Sequence, residues 1–232
     1  TNRSVKKEKN MSPLIIDKTE KQQRIAEAAL GVFSKQGYAV ASMRQISEAA
    51  GVGKSTLYEY FECKADVFIS AIQAWIGQIG RRMATLMEKR TDPIEKIYVA
   101  VELANDIGST QDPTINRLYI EVYEQMIVET GVLHHRGDLV HELTAGLRRI
   151  LTDVILHGIS TGIFKAEVAR DAERMAINII ACIDGLLLHN LLGNRRFDLK
   201  WQVDFYLKNL IETIRVPVKA GTQAGLAKRK EA

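Results

Sequence analysis

Residues 41–61 read ASMRQISEAAGVGKSTLYEYF. Ser42 followed by Gln45 has the spacing of a capping box, in which each side chain satisfies a free backbone N–H of the other. A short helix is therefore expected from Met43 to Ala50. Gly51 ends it, because glycine tolerates a left-handed backbone without strain, and Val52 can plug the space between this helix and the next. A second short helix is expected over about Lys54–Tyr60. Leu57 and Phe61 anchor its inner face, and its outward face is stripped of large apolar residues.

Working outward, Ile25, Ala28, Ala29, Val32 and Phe33 fall at i, i+3, i+4, i+7 and i+8, the buried stripe of a helix that follows Asp17 and stops at Gly37. Residues 1–16 are polar, basic and without period, and are expected to form a flexible arm. From Lys64, the series Val67, Phe68, Ala71, Ile72, Trp75, Ile76 and Ile79 predicts a long amphipathic helix to about Arg90, long enough to link two domains. Asp92-Pro93 and Asp112-Pro113 each cap and start a new helix, over roughly 92–109 and 112–130. After a break at 131–138 comes a helix to about Gly162, then a loop around 164–169, then two very apolar helices near 171–192 and 198–215. Pro217 ends the order, and the tail, with Lys228-Arg229-Lys230, is expected to be disordered. The expectation is an all-α fold of about nine helices. It divides into an arm (1–16), a three-helix domain (17–66), a larger helical domain (67–215) and a basic tail (216–232).

Composition agrees with a globular chain: 232 residues, 46% hydrophobic and 26% charged, are enough to bury a core. The net charge of +4 is unevenly placed. Residues 1–66 carry 11 basic and 8 acidic side chains and residues 216–232 carry 4 and 1, so a polyanion should prefer the ends of the chain to its centre. No uninterrupted apolar run reaches about 18 residues, and residues 1–10 lack the apolar core of a signal peptide. A cytoplasmic protein without membrane association is expected. Cys63 and Cys182 stand far apart in no CxxC pattern, which suggests neither a disulfide framework nor a zinc site. His134 and His135 point apart on any helix, so with His141 they make a poor metal set; no metal and no cofactor are expected. Gly51-Val52-Gly53-Lys54-Ser55-Thr56 ends like a phosphate-binding loop, but the glycine required five residues before Gly53 is Glu48, and no strand precedes it.

Residues 24–68 closely resemble the N-terminal domain of TetR-family (TetR/AcrR-like) transcriptional regulators. The matching features are Ala28 and Phe33, Gly37-Tyr38, Ser42-Met43-Arg44 with Ile46, Ala50-Gly51-Val52, Lys54-Ser55-Thr56-Leu57-Tyr58, Tyr60-Phe61 and Lys64. Ser47, Ser55 and Ala65 depart from the commonest pattern, in which alanine, glycine and glutamate are frequent. The resemblance implies a helix-turn-helix reader whose second short helix enters the major groove, about 12 Å wide. By position in the family, Arg44, Lys54, Ser55 and Tyr58 would reach base edges or nearby backbone. Ser42, Thr56, Tyr60 and Lys64 would grip phosphates. Each has a plainer reading: Ser42 as a helix cap, Tyr58 as mostly packed, Lys64 as a solvated lysine.

The resemblance further implies ligand sensing and homodimerisation by the C-terminal helices. Residues 179–188 look like the penultimate helix of such regulators, and residues 175–192 are apolar over most of the helix circumference, so burial on more than one side is expected. Ile179, Ile183, Leu186 and Leu187 with Phe205, Leu210 and Ile214 are the expected dimer contacts. Polar or aromatic residues amid apolar helices are the candidate ligand contacts: Trp75, Tyr98, Glu102, Tyr119, Tyr123, Met126, His157, Asn178 and Asp184. The expected function is a homodimeric repressor on a palindromic double-stranded operator. A small-molecule effector would release it by swinging the helix after Lys64, changing a reader spacing of about 34–36 Å. A ligand-independent regulator or an activator is the alternative. An enzyme is remote, since no nucleophile and base with a positioned third group can be picked out.

Overall fold

The computed structural model of the protein describes residues 13–109, 113–193 and 197–217. Among the described residues are nine α-helices: α1 Pro13–Val40, α2 Met43–Ala50, α3 Lys54–Tyr60, α4 Lys64–Glu88, α5 Pro93–Ser109, α6 Pro113–Ile127, α7 Gly137–Ser160, α8 Ala172–Leu192 and α9 Leu199–Ile214, with a 3-10 turn Ala166–Asp171 before α8. The all-α expectation holds. Helix α1 starts at Pro13 rather than after Asp17, because proline with its preset φ suits a first helical turn. The rest of the expected arm, the basic tail from residue 218 and the Asp112 cap lie outside the described residues.

Packing divides the chain differently from a cut at residue 66. One compact unit comprises Thr1–Arg81 with Thr110–Ala145, the other Arg82–Ser109 with Gly146–Ala232. Helix α6 thus belongs with the N-terminal helices. It buries Leu118 and Val122 in the same core as Ile25, Ala29 and Phe33 of α1, Ile46 of α2, Leu57 of α3 and Val67, Phe68 and Ile72 of α4. Aromatic edges organise this core: Phe33 meets Phe68 at 5.1 Å and 83°, and Tyr38 meets Phe68 at 5.1 Å and 65°. Such pairs add about 0.5–1.5 kcal/mol beyond area burial.

The second unit is built on α5, α8 and α9, which pack on one another. Ile97 and Val101 of α5, Leu151 and Ile155 of α7, Ile179 and Leu187 of α8, and Val203, Leu207 and Ile214 of α9 are buried. Its end is tied by Lys165 N–H donating to the Ile214 carbonyl (2.8 Å) and Val216 N–H donating to the Ile163 carbonyl (3.0 Å). These bonds seat Phe164, 1% exposed, directly against the backbone of Gly158.

By length and composition, an 18-residue stretch within Ala166–Leu192 is apolar enough to cross a membrane, with a mean hydropathy of 1.7. Only 22% of that stretch is buried, so α8 carries apolar surface that the chain itself leaves uncovered. Its least covered row is Ile177, Ala181 and Leu192, with the half-buried Leu188 between them, spaced at helical repeats on the side opposite Ala176, Ile179 and Leu187.

A Cβ on Gly158 would lie 2.2 Å from a Phe164 ring carbon. Gly158→Ala is expected to destabilise the second unit by about 1–3 kcal/mol through overpacking, read as a lower melting temperature by circular dichroism.

Candidate nucleic-acid interface

The reader is assembled from short-range rules. Gln45 N–H donates to Ser42 Oγ (3.3 Å) and Ser42 N–H donates to Gln45 Oε1 (2.9 Å), completing the capping box of α2. Gly51 adopts φ 65°, the left-handed turn that only glycine makes cheaply, and its N–H caps the α2 carbonyls. Val52 packs on the core, Leu57 and Phe61 are buried beneath α3, and the opposite side of α3 faces out. Ser47, a departure from the family pattern, is 4% exposed and donates its hydroxyl to the Arg44 carbonyl at 2.8 Å. That buried oxygen is satisfied within α2 and is not presented to DNA.

The expected contact residues fall into two groups. Arg44, Lys54 and Ser55 are exposed, Tyr58 is 47% exposed, and Thr56 and Tyr60 are half-buried. Arg44 makes only a loose surface pair with Glu48 at 3.7 Å, which leaves it available to an incoming anion. Ser42 is exposed, but its hydroxyl is engaged by Gln45 on both counts, accepting from the amide and donating to Oε1 at 2.7 Å.

Lys64 is placed differently from the reading of a free, phosphate-gripping lysine. Its half-buried ammonium donates to the carbonyls of Tyr38 (2.7 Å), Ala41 (2.9 Å) and Ala39 (3.3 Å), and sits 4.4 Å from the centre of the Tyr38 ring. All three of its donors are used within the protein. Burial pushes its pKa below the ordinary lysine value, and the nearby Glu121 carboxylate offsets part of that shift.

Arg117 of α6 grips the same end of α1 from another side, donating to the carbonyls of Gln36 (3.0 Å) and Lys35 (3.3 Å). Between these carbonyls and those held by Lys64 the chain turns at Gly37 with φ 81° and ψ 166°, where a Cβ would lie 2.8 Å from Glu121 Oε2. Glu121, 8% exposed, accepts from Gln125 Nε2 (3.0 Å), and Gln125 Oε1 accepts the N–H of Val132 (3.0 Å). Helix ends leave unpaired carbonyls that favour cations, and here two cations from two other helices supply the partners. Sequence reasoning missed Arg117, Glu121 and Gln125. Their i, i+4, i+8 spacing reads as an ordinary solvated helix face until α1 is packed on it.

The candidate ligand contacts divide between the units. In the first, Trp75 meets Tyr119 edge-on at 6.4 Å, and Tyr119 and Tyr123 lie 5.2 Å apart with their hydroxyls 3.5 Å apart, while Met126 packs on the core. In the second, Tyr98 lines an open cleft of about 510 Å³ with Trp201, Phe205 and Asp204. Glu102 is ion-paired with Arg90, His157 and Asn178 are exposed, and Asp184 is half-buried. The expected dimer contacts also divide. Ile179, Leu187 and Ile214 are at most 2% exposed in their own unit, and Ile183, Leu186 and Leu210 are half-buried; Phe205 is 58% exposed. The outward face is instead Ile177, Ala181 and Leu192 with Trp201 and Phe205, the last two stacked at 5.9 Å. A helix apolar all round has no phase that sequence alone can read.

A short capped helix, a glycine turn and a second helix with its polar side outward define a helix-turn-helix transcriptional regulator. The sequence model of bacterial regulatory proteins, tetR family, matches residues 25–71. The chain is 26% identical over 188 residues to the fatty acid metabolism regulator protein of Bacillus subtilis, covering 78% of this chain and 89% of that protein. It is 26% identical over 194 residues to the HTH-type transcriptional regulator AcrR of Shigella flexneri, covering 83% and 88%. Its fold is similar to that of the transcriptional regulator FadR from Bacillus subtilis in complex with stearoyl-CoA, with a TM-score of 0.62 at 23% identity, covering 83% of this chain and 98% of that one. Residues 25–71 thus match the tetR family of bacterial regulatory proteins, and the similarity to named transcriptional regulators extends over most of the chain.

Lys64→Gln is expected to cost about 1–3 kcal/mol, because charge-assisted hydrogen bonds are removed from a partly buried helix end, and to lower the melting temperature of the DNA-free protein. Were Lys64 chiefly a phosphate contact, melting would be unchanged and only the salt dependence of DNA binding would fall.

Proposed function

We propose that the protein is a homodimeric cytoplasmic repressor that places one reader in each half of a palindromic operator and is released by a small-molecule ligand. The observation that supports this most directly is the outward side of α3, where Lys54, Ser55 and Tyr58 are exposed over a buried Leu57 and Phe61. Arg44, Lys54, Ser55 and Tyr58 are the proposed base-reaching or adjacent-backbone contacts. Thr56 and Tyr60 are the proposed phosphate contacts.

A seven-residue helix offers few contacts, so affinity and specificity call for two readers on one dimer. The uncovered row on α8 with Trp201 and Phe205 supports that dimer: Ile177, Leu192, Trp201 and Phe205 are 44%, 63%, 61% and 58% exposed. Ala181 and Gly185, four residues apart and both exposed, allow close approach of a second helix.

For the ligand, Trp75, Tyr119 and Tyr123 supply aromatic surface together with two hydroxyls, which suits a molecule with an apolar body and a polar group. The name of the Bacillus subtilis relative and its stearoyl-CoA complex make long-chain acyl thioesters the first class to test. The route to the reader is short. Tyr119 and Tyr123 lie on α6, whose other side carries Arg117 and Glu121, and Lys64 opens α4. A ligand that displaces either helix acts on the end of α1, one residue before the Ser42 cap of α2.

Selection of fragments bound by the purified protein from a random double-stranded pool should recover a palindrome with half-site centres about one helical turn, or a multiple of it, apart. Recovery of no sequence would overturn the reading. Ile177→Glu combined with Phe205→Glu should give a folded monomer by sedimentation, with binding to the selected palindrome weakened by about a hundredfold or more, the range over which avidity acts.

A further inference from the structure

Two cations of α1 have no place in the DNA contacts described so far. The ammonium nitrogens of Lys18 and Lys21 stand 6.0 and 5.9 Å from the centre of the Tyr60 ring, on the last turn of α3. Lys18 is exposed and Lys21 half-buried, and among the described residues neither ammonium has an ion-pair or hydrogen-bond partner. Each cation is attracted to the negative face of the ring. Like charges a helical turn apart repel, but more weakly. The two lysines are therefore held together on one ring with their charges uncompensated, which is the arrangement of an anion site awaiting its anion.

Its position on the reader says which anion. Tyr60 follows Lys54 by six residues, about 9 Å along a helix, so Lys54 and Tyr60 mark the two ends of α3. A helix whose outward side enters a groove about 12 Å wide brings its two ends toward the two flanking sugar-phosphate backbones. Lys54 stands at one end. At the other end α3 has no cation of its own, since its last residues are Glu59 and Tyr60; α1 supplies the missing charge across the ring of Tyr60. The ring is itself packed on the core, so the platform is fixed before DNA arrives, and less side-chain freedom is given up on binding.

We infer that Lys18 and Lys21, seated on Tyr60, form a backbone-phosphate site of the reader, contributed by α1 and independent of base sequence. The inference rests on the DNA-binding function proposed above and assigns part of its affinity and salt dependence to residues outside the helix-turn-helix.

The test uses the full chain and the palindrome recovered by selection. Kd is measured between 50 and 300 mM salt for the wild type, Lys18→Gln with Lys21→Gln, Lys18→Arg with Lys21→Arg, Tyr60→Leu, and a remote charge control, Lys89→Gln with Lys96→Gln. Removing one lysine–phosphate pair should lower the salt slope by about 0.9. Two pairs per protomer would lower it by up to about 3.6 for the dimer, with affinity at 100 mM salt reduced about tenfold or more. The double glutamine variant should show that reduction while remaining fully folded at the assay temperature, with an unchanged selected sequence. The arginine variant should restore the slope, and Tyr60→Leu should lower it in part. An unchanged slope in the double glutamine variant, or an equal reduction in the remote control, overturns the phosphate site while leaving DNA reading intact. A changed base preference overturns it in favour of base contact. A wild type that binds no DNA overturns the site and the parent reading together.

Discussion

The end of α1 is the point on which the first unit depends. A helix of this length must turn sharply to let the chain enter α2, and it kinks at Gly37, in a backbone conformation that a side chain would strain and whose Cβ would strike Glu121. Carbonyls on both sides of the kink take side-chain partners. Lys64 takes three of them and Arg117 two, so α4 and α6 are both fastened to the strut that carries the reader. Lys64 is partly withdrawn from water, a cost that charge-assisted hydrogen bonds and the buried Glu121 carboxylate offset, whereas Arg117 holds its two carbonyls from the exposed side.

This fastening links stability to function. The side chains proposed to read bases can be freely exposed because the helices behind them are held by apolar packing and by polar bonds within the protein. The same bonds place α4 and α6 where small displacements reach the capping box within a few residues. Packed cores respond to displacement by switching between arrangements rather than by stretching.

The second unit follows a different rule. Its helices bury one apolar side against each other and leave another uncovered, and on α8 and α9 the uncovered residues are large and aromatic. Such a surface is the basis of the dimer proposed above. The Trp201–Phe205 stack and the small residues Ala181 and Gly185 give it both an anchor and a place of close approach.

The reader was legible residue by residue, because its logic is local: Ser42 and Gln45 satisfy one another three positions apart, Gly51 meets a backbone demand, and Leu57 and Phe61 mark an inner face by helical spacing. Helix order and the all-α class followed from the same short-range signals, with Pro13 the one start signal passed over in favour of Asp17. Tertiary structure decided what local spacing cannot encode. Lys64 looked like a free surface cation until the carbonyls of Tyr38, Ala39 and Ala41 were brought to it from more than twenty residues away. Arg117 and Glu121 looked like a solvated face until α1 packed on them. Ile179 and Leu187 looked as outward as Ile177 and Leu192 on a helix apolar all round, and only packing against α5 and α9 chose which row is core. Charges and apolar rows take their meaning from whatever the fold sets opposite them, and that partner lies far away in sequence.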